Sequence, residues 1–244
     1  MKLTFRGRTA LILGGSSAIG LELAARLLDE GLRPIPAHSS ADGLSAIAER
    51  FPDLAATSPR VDLADRASLD ALRPALDAGI DYLIDLAHSD REGLLAATGD
   101  EAADEYFEAH IAARVQLLKA VTRSMLARRF GRLLHVSSTA AALPAPGQGL
   151  YCAAKRAAEG LYQTLGLELA ERGVTALNLR LGLVDAGRGA RFLDREDRRR
   201  NLAGRIVTLD QAAGTALYLL SDQALALTCT TITMDAGLTA RKYA

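Results

Sequence analysis

Short apolar runs alternate along the chain with longer segments of helical period. The runs lie at Thr9–Leu13, Arg33–Ala37, Asp81–Leu86, Arg132–Ser137, Val174–Leu181 and Thr230–Met234. Their length, between polar and turn-forming flanks, predicts buried strands. Between them, Ile19, Leu23 and Leu27 fall at i, i+4 and i+8, and Ala154, Ala158, Leu161 and Leu165 also repeat with helical spacing. Each set shares one helix face, suited to packing on a sheet. Alternating strands and helices predict an α/β fold built on a parallel sheet. No internal repeat, low-complexity tract or Gly/Ser linker divides the sequence, so residues 1–244 are expected to form a single domain.

Composition narrows the function classes. Hydrophobic residues make up 49% and charged residues 24% of the 244, ordinary for a packed globular protein and unlike a disordered chain. Lys and Arg together number 29, as do Asp and Glu, so no net charge argues for nucleic acid or an anionic membrane as partner. Cys152 and Cys229 form neither a CxxC motif nor a Cys/His spacing, and no metal site is expected. No signal-peptide layout and no membrane-spanning apolar run is seen, so a cytoplasmic location is expected. One segment is unusual: Asp185–Arg205 carries seven arginines against four acids.

The first predicted strand runs into Gly14-Gly15-Ser16-Ser17-Ala18-Ile19-Gly20 and then a helix. Such a turn points backbone N–H groups at whatever lies above the strand end, and glycine lets a phosphate or the helix approach closely. That arrangement suits a dinucleotide pyrophosphate on a Rossmann-type doubly wound sheet, with Gly14, Ser16, Ser17, Ile19 and Gly20 as candidate contacts. Tyr151 and Lys155 lie four residues apart at the start of a predicted helix, one turn apart on the same face. A lysine charge beside a tyrosine favours the phenolate and brings the phenol toward working pH, where it can give and take a proton. Ser138, ending the preceding strand, can hydrogen-bond the same substrate oxygen.

Through Gly14–Gly20, Asp62, Ser138, Tyr151 and Lys155, taken in that order over nearly the whole length, the chain resembles the short-chain dehydrogenase/reductase family. Within it the likeness is greatest to 3-oxoacyl-[acyl-carrier-protein] reductases, which share the length, the Ser/Tyr/Lys spacing and the Arg-Phe-Gly-Arg stretch at Arg129–Arg132. The resemblance implies that Tyr151 is the general acid/base, that Ser138 polarises the substrate oxygen, and that Lys155 tunes Tyr151 and holds the nicotinamide ribose. It implies Asp62, following a third strand, and Leu63 at the adenine, with Ala87, Gly182 and Val184 also lining the cofactor. It further implies a substrate lid at about 185–205, and a homo-oligomer, tetramer or dimer, with Ala109–Arg128 and Tyr151–Arg172 at an interface.

The departures from the family pattern are specific. Asp85-Leu86-Ala87-His88 stands where Asn-Asn-Ala-Gly is usual, His110 where a proton-relay asparagine is usual, Leu181 where the proline of a Pro-Gly pair is usual, and Ala186 where a threonine is usual. A histidine can hold a water and pass protons near neutral pH, so His110 is a candidate catalytic residue, with a merely packed histidine as the alternative. Asp85, His88 and His110 suggest a metal less than they suggest polar strand ends, and His135, inside an apolar strand, is expected to be a satisfied core histidine.

The second strand ends at Ala37-His38-Ser39-Ser40 with no acid to meet a ribose 2′-hydroxyl. NADP(H) is therefore favoured over NAD(H), with His38 and Ser39 as candidate contacts. Arg129 and Arg172 match positions where the similar reductases meet an acidic carrier, and positive charge beside the entrance would steer one. The expected reaction is NADPH-dependent reduction of a 3-ketoacyl thioester on an acyl carrier protein or coenzyme A. The alternatives are a dehydrogenase of a free alcohol or ketone, and a non-catalytic member acting as a binding or subunit-partner module.

Overall fold

The structure is a computed structural model that describes residues 2–89, 91–187, 189–190 and 206–243. The chain begins with β1 (Thr9–Leu13), α1 (Ala18–Asp29), β2 (Arg33–Pro36), α2 (Ala41–Arg50), α3 (Pro52–Ala55), α4 (Arg73–Ala78) and β3 (Tyr82–Asp85). Then come α5 (Asp100–Phe107), α6 (Ala113–Arg128), β4 (Gly131–Ser138), α7 (Gly149–Leu169), β5 (Val174–Leu181), α8 (Leu209–Leu220), β6 (Thr231–Met234) and α9 (Leu238–Tyr243). Among the described residues the strands form one parallel sheet in the order β2-β1-β3-β4-β5-β6. The strand order reverses between β1 and β3, which opens a crevice above their C-terminal ends.

Alternation along each strand builds two cores. Ala10, Ile12, Tyr82, Ile84, Leu134, Val136, Leu177 and Leu179 face α1 and α8, meeting Leu23, Leu27, Ala212 and Ala216. Leu11, Leu13, Leu83, Leu133 and Ala176 face the other way, toward Leu117, Val121 and Met125 of α6 and Tyr162 of α7. Burying both faces of a parallel sheet under helices is what makes its strands read as continuous apolar runs. Among the described residues no helix is long and apolar enough to cross a membrane.

The third strand implied before Asp62 is reduced to a single parallel bridge between His38 and Arg60. Two prolines account for it. Arg33 N–H and Ala37 N–H point to β1, donating to Arg8 and Ile12, so the groups of Pro34 and Pro36 face outward. Proline has no N–H, and β2 cannot offer a ladder on that side until it is past Pro36. Pairing starts at once there: His38 N–H donates to Pro59 and Val61 N–H to His38.

Candidate active site

The turn after β1 forms a cradle at the crevice. Gly14 has φ +67°, a conformation in which glycine carries no Cβ penalty, and a Cβ there would come within 3.2–3.4 Å of the Leu86–Ala87 backbone. Ser17 caps α1, its hydroxyl accepting from Gly20 N–H at 3.1 Å while its own N–H donates to Gly14 at 3.0 Å. The next N–H groups, those of Ala18 and Ile19, open the helix with no acceptor among the described residues. Free N–H groups at the positive end of a helix, beside a glycine that admits close approach, fit a pyrophosphate. Gly20 serves packing instead, since its Cβ would lie 2.7 Å from the carbonyl oxygens of Gly14 and Gly15. Gly20→Ala is expected to cost about 1–3 kcal/mol by overpacking, read as a lower urea midpoint with unchanged m.

At the rim of the crevice the candidate adenosine contacts divide. Ser39 is exposed, but His38 is buried, its Nδ1 3.0 Å from the Ser40 carbonyl, and the Ser40 hydroxyl caps α2 by accepting from Gly43 N–H. Of the two candidate contacts for a 2′-phosphate, His38 is thus engaged within the protein, as is the neighbouring Ser40. The N-terminus of α2 lies close to the glycine turn, for a Cβ on Gly43 would sit 2.9 Å from the Ser16 hydroxyl. Asp62 is half-exposed and accepts from Ala64 N–H, while Leu63 is buried. On the far side, Gly182 N–H donates to Met234, and its Cβ would lie 2.8 Å from Asp235 Cα, so glycine is needed for β5 to pass the end of β6. Val184 is buried and bridges Val207.

Ser138 ends β4, half-buried, with its hydroxyl accepting from Ala140 N–H. Tyr151 and Lys155 lie in the first two turns of α7. Lys155 is 4% exposed and its Nζ donates to the Val136 carbonyl at 2.9 Å, which pins the lysine two residues before Ser138. Arg156 adds a second tie, donating from Nε to the Ala141 carbonyl just past Ser138. The ammonium and the serine hydroxyl are thereby held at the C-terminal end of β4, with half-buried Tyr151 one helical turn before Lys155.

Beneath them lies a buried ionic layer. The Asp85 carboxylate is fully buried and takes four donors: Arg114 Nε at 2.7 Å, Arg114 Nη2 at 3.4 Å, Tyr162 O–H at 2.9 Å and Ala87 N–H at 3.1 Å. Burial alone would raise its pKa, but the Arg114 charge and hydrogen bonds outweigh it and hold the carboxyl well below the usual range. Arg114 also donates to the carbonyls of His110 and Ala87, so one ion pair joins β3, the cofactor-side loop, α6 and α7. The Tyr162 phenol is pushed well up, by burial first and then by Asp85. His135 is not the satisfied core histidine expected: Nδ1 meets Asn178 at 2.9 Å, but Nε2 has no partner among the described residues. Burial, then the Lys155 charge, lowers its pKa to about 3.

His88 and His110 meet beside Tyr151. His110 lies in a π-helical turn, Glu108–Ala112, between α5 and α6. Its ring stacks on His88 at 4.2 Å between centroids, and His88 meets the Tyr151 ring edge-on at 4.6 Å. His88 Nε2 is 2.7 Å from the Tyr106 hydroxyl and His110 Nε2 is 2.7 Å from the Ser89 hydroxyl. The near-neutral titration expected of His110 does not fit its surroundings. Burial, then the charges of Arg114 and Lys155, lowers its pKa to about 4, and burial followed by Lys155 drives His88 lower still.

Arg129 and Arg172 are exposed neighbours, since Gly173 packs against the Arg129 carbonyl. They do not lie beside the entrance of their own chain. Each precedes a strand, β4 or β5, whose far end carries Ser138 or Leu181, and eight residues at about 3.3 Å each put that end more than 20 Å away. The lid expected at 185–205 falls mostly outside the described residues. Arg114, Tyr106 and Tyr162 were not among the candidates from sequence, although helical spacing points to them: Tyr106 and Arg114 are each one turn from His110, and Tyr162 is two turns after Lys155.

Comparisons with known proteins agree with the fold. The profile of the family described as short chain dehydrogenase matches residues 8–197. The 3-oxoacyl-[acyl-carrier-protein] reductase FabG of Escherichia coli is 28% identical over 97% of this chain and 99% of its own length. That of Haemophilus influenzae is 30% identical over 96% and 98%, and nodulation protein G of Rhizobium meliloti 29% over 95% and 97%. Among solved structures, a gluconate 5-dehydrogenase from Burkholderia cenocepacia in complex with NADP and tartrate superposes with a TM-score of 0.84, covering 97% of each chain at 26% identity.

Proposed function

Because this chain belongs to the short-chain dehydrogenase family, we propose that it is an NADPH-dependent reductase of 3-ketoacyl thioesters, forming the 3-hydroxyacyl thioester. The observation that carries the chemistry is Lys155, buried and fixed to the Val136 carbonyl one helical turn from Tyr151 and two residues from Ser138. Bound NADPH would supply the hydride that the keto carbon takes up. Tyr151 then gives its phenolic proton to the oxygen as negative charge develops, and the Ser138 hydroxyl donates a hydrogen bond to the same oxygen. Lys155 holds positive charge beside the phenol and stabilises its deprotonated form until a proton returns. Gly14, Ser16, Ser17 and Ile19 would hold the pyrophosphate, with Gly20 packing the helix onto the turn beneath it, and Asp62, Leu63, Ala87, Gly182 and Val184 would hold the rest of the dinucleotide.

The thioester substrate is supported by the likeness to the 3-oxoacyl-[acyl-carrier-protein] reductases of Escherichia coli and Haemophilus influenzae. In this reading Arg129 and Arg172 dock an acidic carrier at the entrance of a second copy of the chain, since they face away from their own. Exposed Phe107, Val115 and Leu167 on α5, α6 and α7 suit such a homo-oligomer. A second reading, reduction or oxidation of a free small molecule, is favoured by the likeness to the gluconate dehydrogenase.

Preference for NADPH rests on the acid-free turn after β2 and on exposed Ser39. Ser39→Asp, which places a carboxylate there, is expected to weaken NADPH binding about tenfold or more while sparing NADH, measured by titration of each cofactor. The function itself is tested by following NADPH consumption with acetoacetyl and longer 3-ketoacyl thioesters. Consumption only with free ketones would favour the second reading, and failure to bind either cofactor would replace both with a non-catalytic role.

A further inference from the structure

Two departures from the family pattern, 22 positions apart in sequence but adjacent in space, bear on one side chain. His88 stands where the family has glycine and His110 where it has asparagine, yet their rings stack at 4.2 Å with an interplanar angle of 28°. The His88 ring then abuts Tyr151 edge-on, at 4.6 Å and 83°. We infer that His88 is a positioning residue that sets the Tyr151 ring, and that the His110 side chain acts through His88 and not as a proton carrier of its own. The inference rests on the proposed acid/base role of Tyr151 and adds how that ring is aimed.

Each ring of the wedge is held from behind. Tyr106, 4% exposed on α5, meets His88 through its hydroxyl and lies 4.3 Å from the His110 ring. Ser89 ties the outer edge of His110, and the π-helical turn holds its backbone through Arg114. Local π turns are frequent at functional sites because they re-aim a side chain within a helix. Both Nδ1 atoms are buried without a hydrogen-bond partner among the described residues. The charged groups around the pair are Lys155 of α7, Arg114 of α6 and Asp85 of β3, with His135 of β4 also near; the cations among them disfavour a protonated imidazole. Two neutral, stacked rings make a rigid wedge, and a glycine at 88 would leave Tyr151 without it.

Four variants test this: His88→Gly, His88→Phe, His110→Ala and the double His88→Gly/His110→Ala. Loss of the ring is expected to lower kcat about tenfold or more, because small misplacements of a reacting group are costly, with NADPH affinity changed less than about twofold. Phenylalanine keeps the edge-on ring and is expected to stay within about threefold of the parent. His110→Ala lowers kcat in the parent but adds nothing to His88→Gly, since contacting residues that act as one unit are not additive. A second readout needs no substrate: the Tyr151 phenol titration, taken as the absorbance difference between each protein and its Tyr151→Phe counterpart, shifts in His88→Gly and not in His88→Phe. Multiplying effects of the two single variants, or equal damage from glycine and phenylalanine, would overturn the wedge. If no substrate is turned over at all, the reductase reading fails, and the phenol titration alone still decides the inference: no shift in His88→Gly rejects it.

Discussion

Tyr151→Phe is expected to lower kcat with a 3-ketoacyl thioester by about 10²–10⁴-fold while leaving NADPH binding nearly unchanged, because it removes the proton donor and keeps the ring. The ring stays against His88 and the helix keeps its first turn, so the change is chemical more than structural. That loss corresponds to about 2.7–5.5 kcal/mol of transition-state stabilisation. The diagnostic feature is its distribution: kcat and kcat/KM fall together, as for an interaction made only in the transition state. Steady-state kinetics beside a cofactor titration separate this from damage to the cradle at Gly14–Ile19. A phenylalanine variant with near-parent turnover would remove Tyr151 from the chemistry.

The largest effect on stability is expected from Asp85→Asn. The substitution keeps the shape but leaves the Arg114 guanidinium, 1% exposed, without its counter-charge. Removing one partner of a buried ion pair costs about 3–5 kcal/mol. For a domain of this size that is roughly a 6–20 °C fall in melting temperature. Arg114→Gln is expected to be similarly damaging, and the double variant is expected to cost less than the sum, since no lone charge remains. The acid side supplies a second measurement. The carboxyl of Asp85 is depressed in the folded state, so its contribution is fully present above the unfolded value of about 3.9 and is lost as pH falls from there through the folded value. Melting temperature against pH is expected to fall less steeply in that acid window for Asp85→Asn than for the parent. Equal slopes would mean that the carboxylate is not held as the structure shows.

The strands were legible because a sheet buried on both faces leaves an unbroken apolar run in sequence, and all six runs became β1 to β6 within two residues at either end. The missing third strand was legible in principle, since Pro34 and Pro36 alternate on one edge of β2, but their direction follows only from the pairing with β1. Gly14, Ser17 and Gly20 were readable because a tight turn into a helix has few chemical solutions. Tyr151 and Lys155 were readable because both sit on one helix face.

Long-range pairings left no comparable trace. Asp85 and Arg114 are 29 positions apart, Asp85 and Tyr162 are 77 apart, and nothing in local periodicity selects one arginine from many as the partner of a buried acid. The reversal for Arg129 and Arg172 has the same origin: their charge is in the sequence, but which end of a parallel sheet they occupy depends on the direction of β4 and β5. His110 shows the limit most directly. Its residue type suggested a proton carrier near neutral pH, whereas burial beside Arg114 and Lys155 and a ring stacked on His88 give it another setting. Composition and periodicity thus determined the α/β class, the strand positions and the side chains able to do chemistry, because those depend on neighbours along the chain. The ionic layer, the imidazole wedge and the placement of the surface arginines were decided by tertiary structure, because charge and proton affinity depend on neighbours in space.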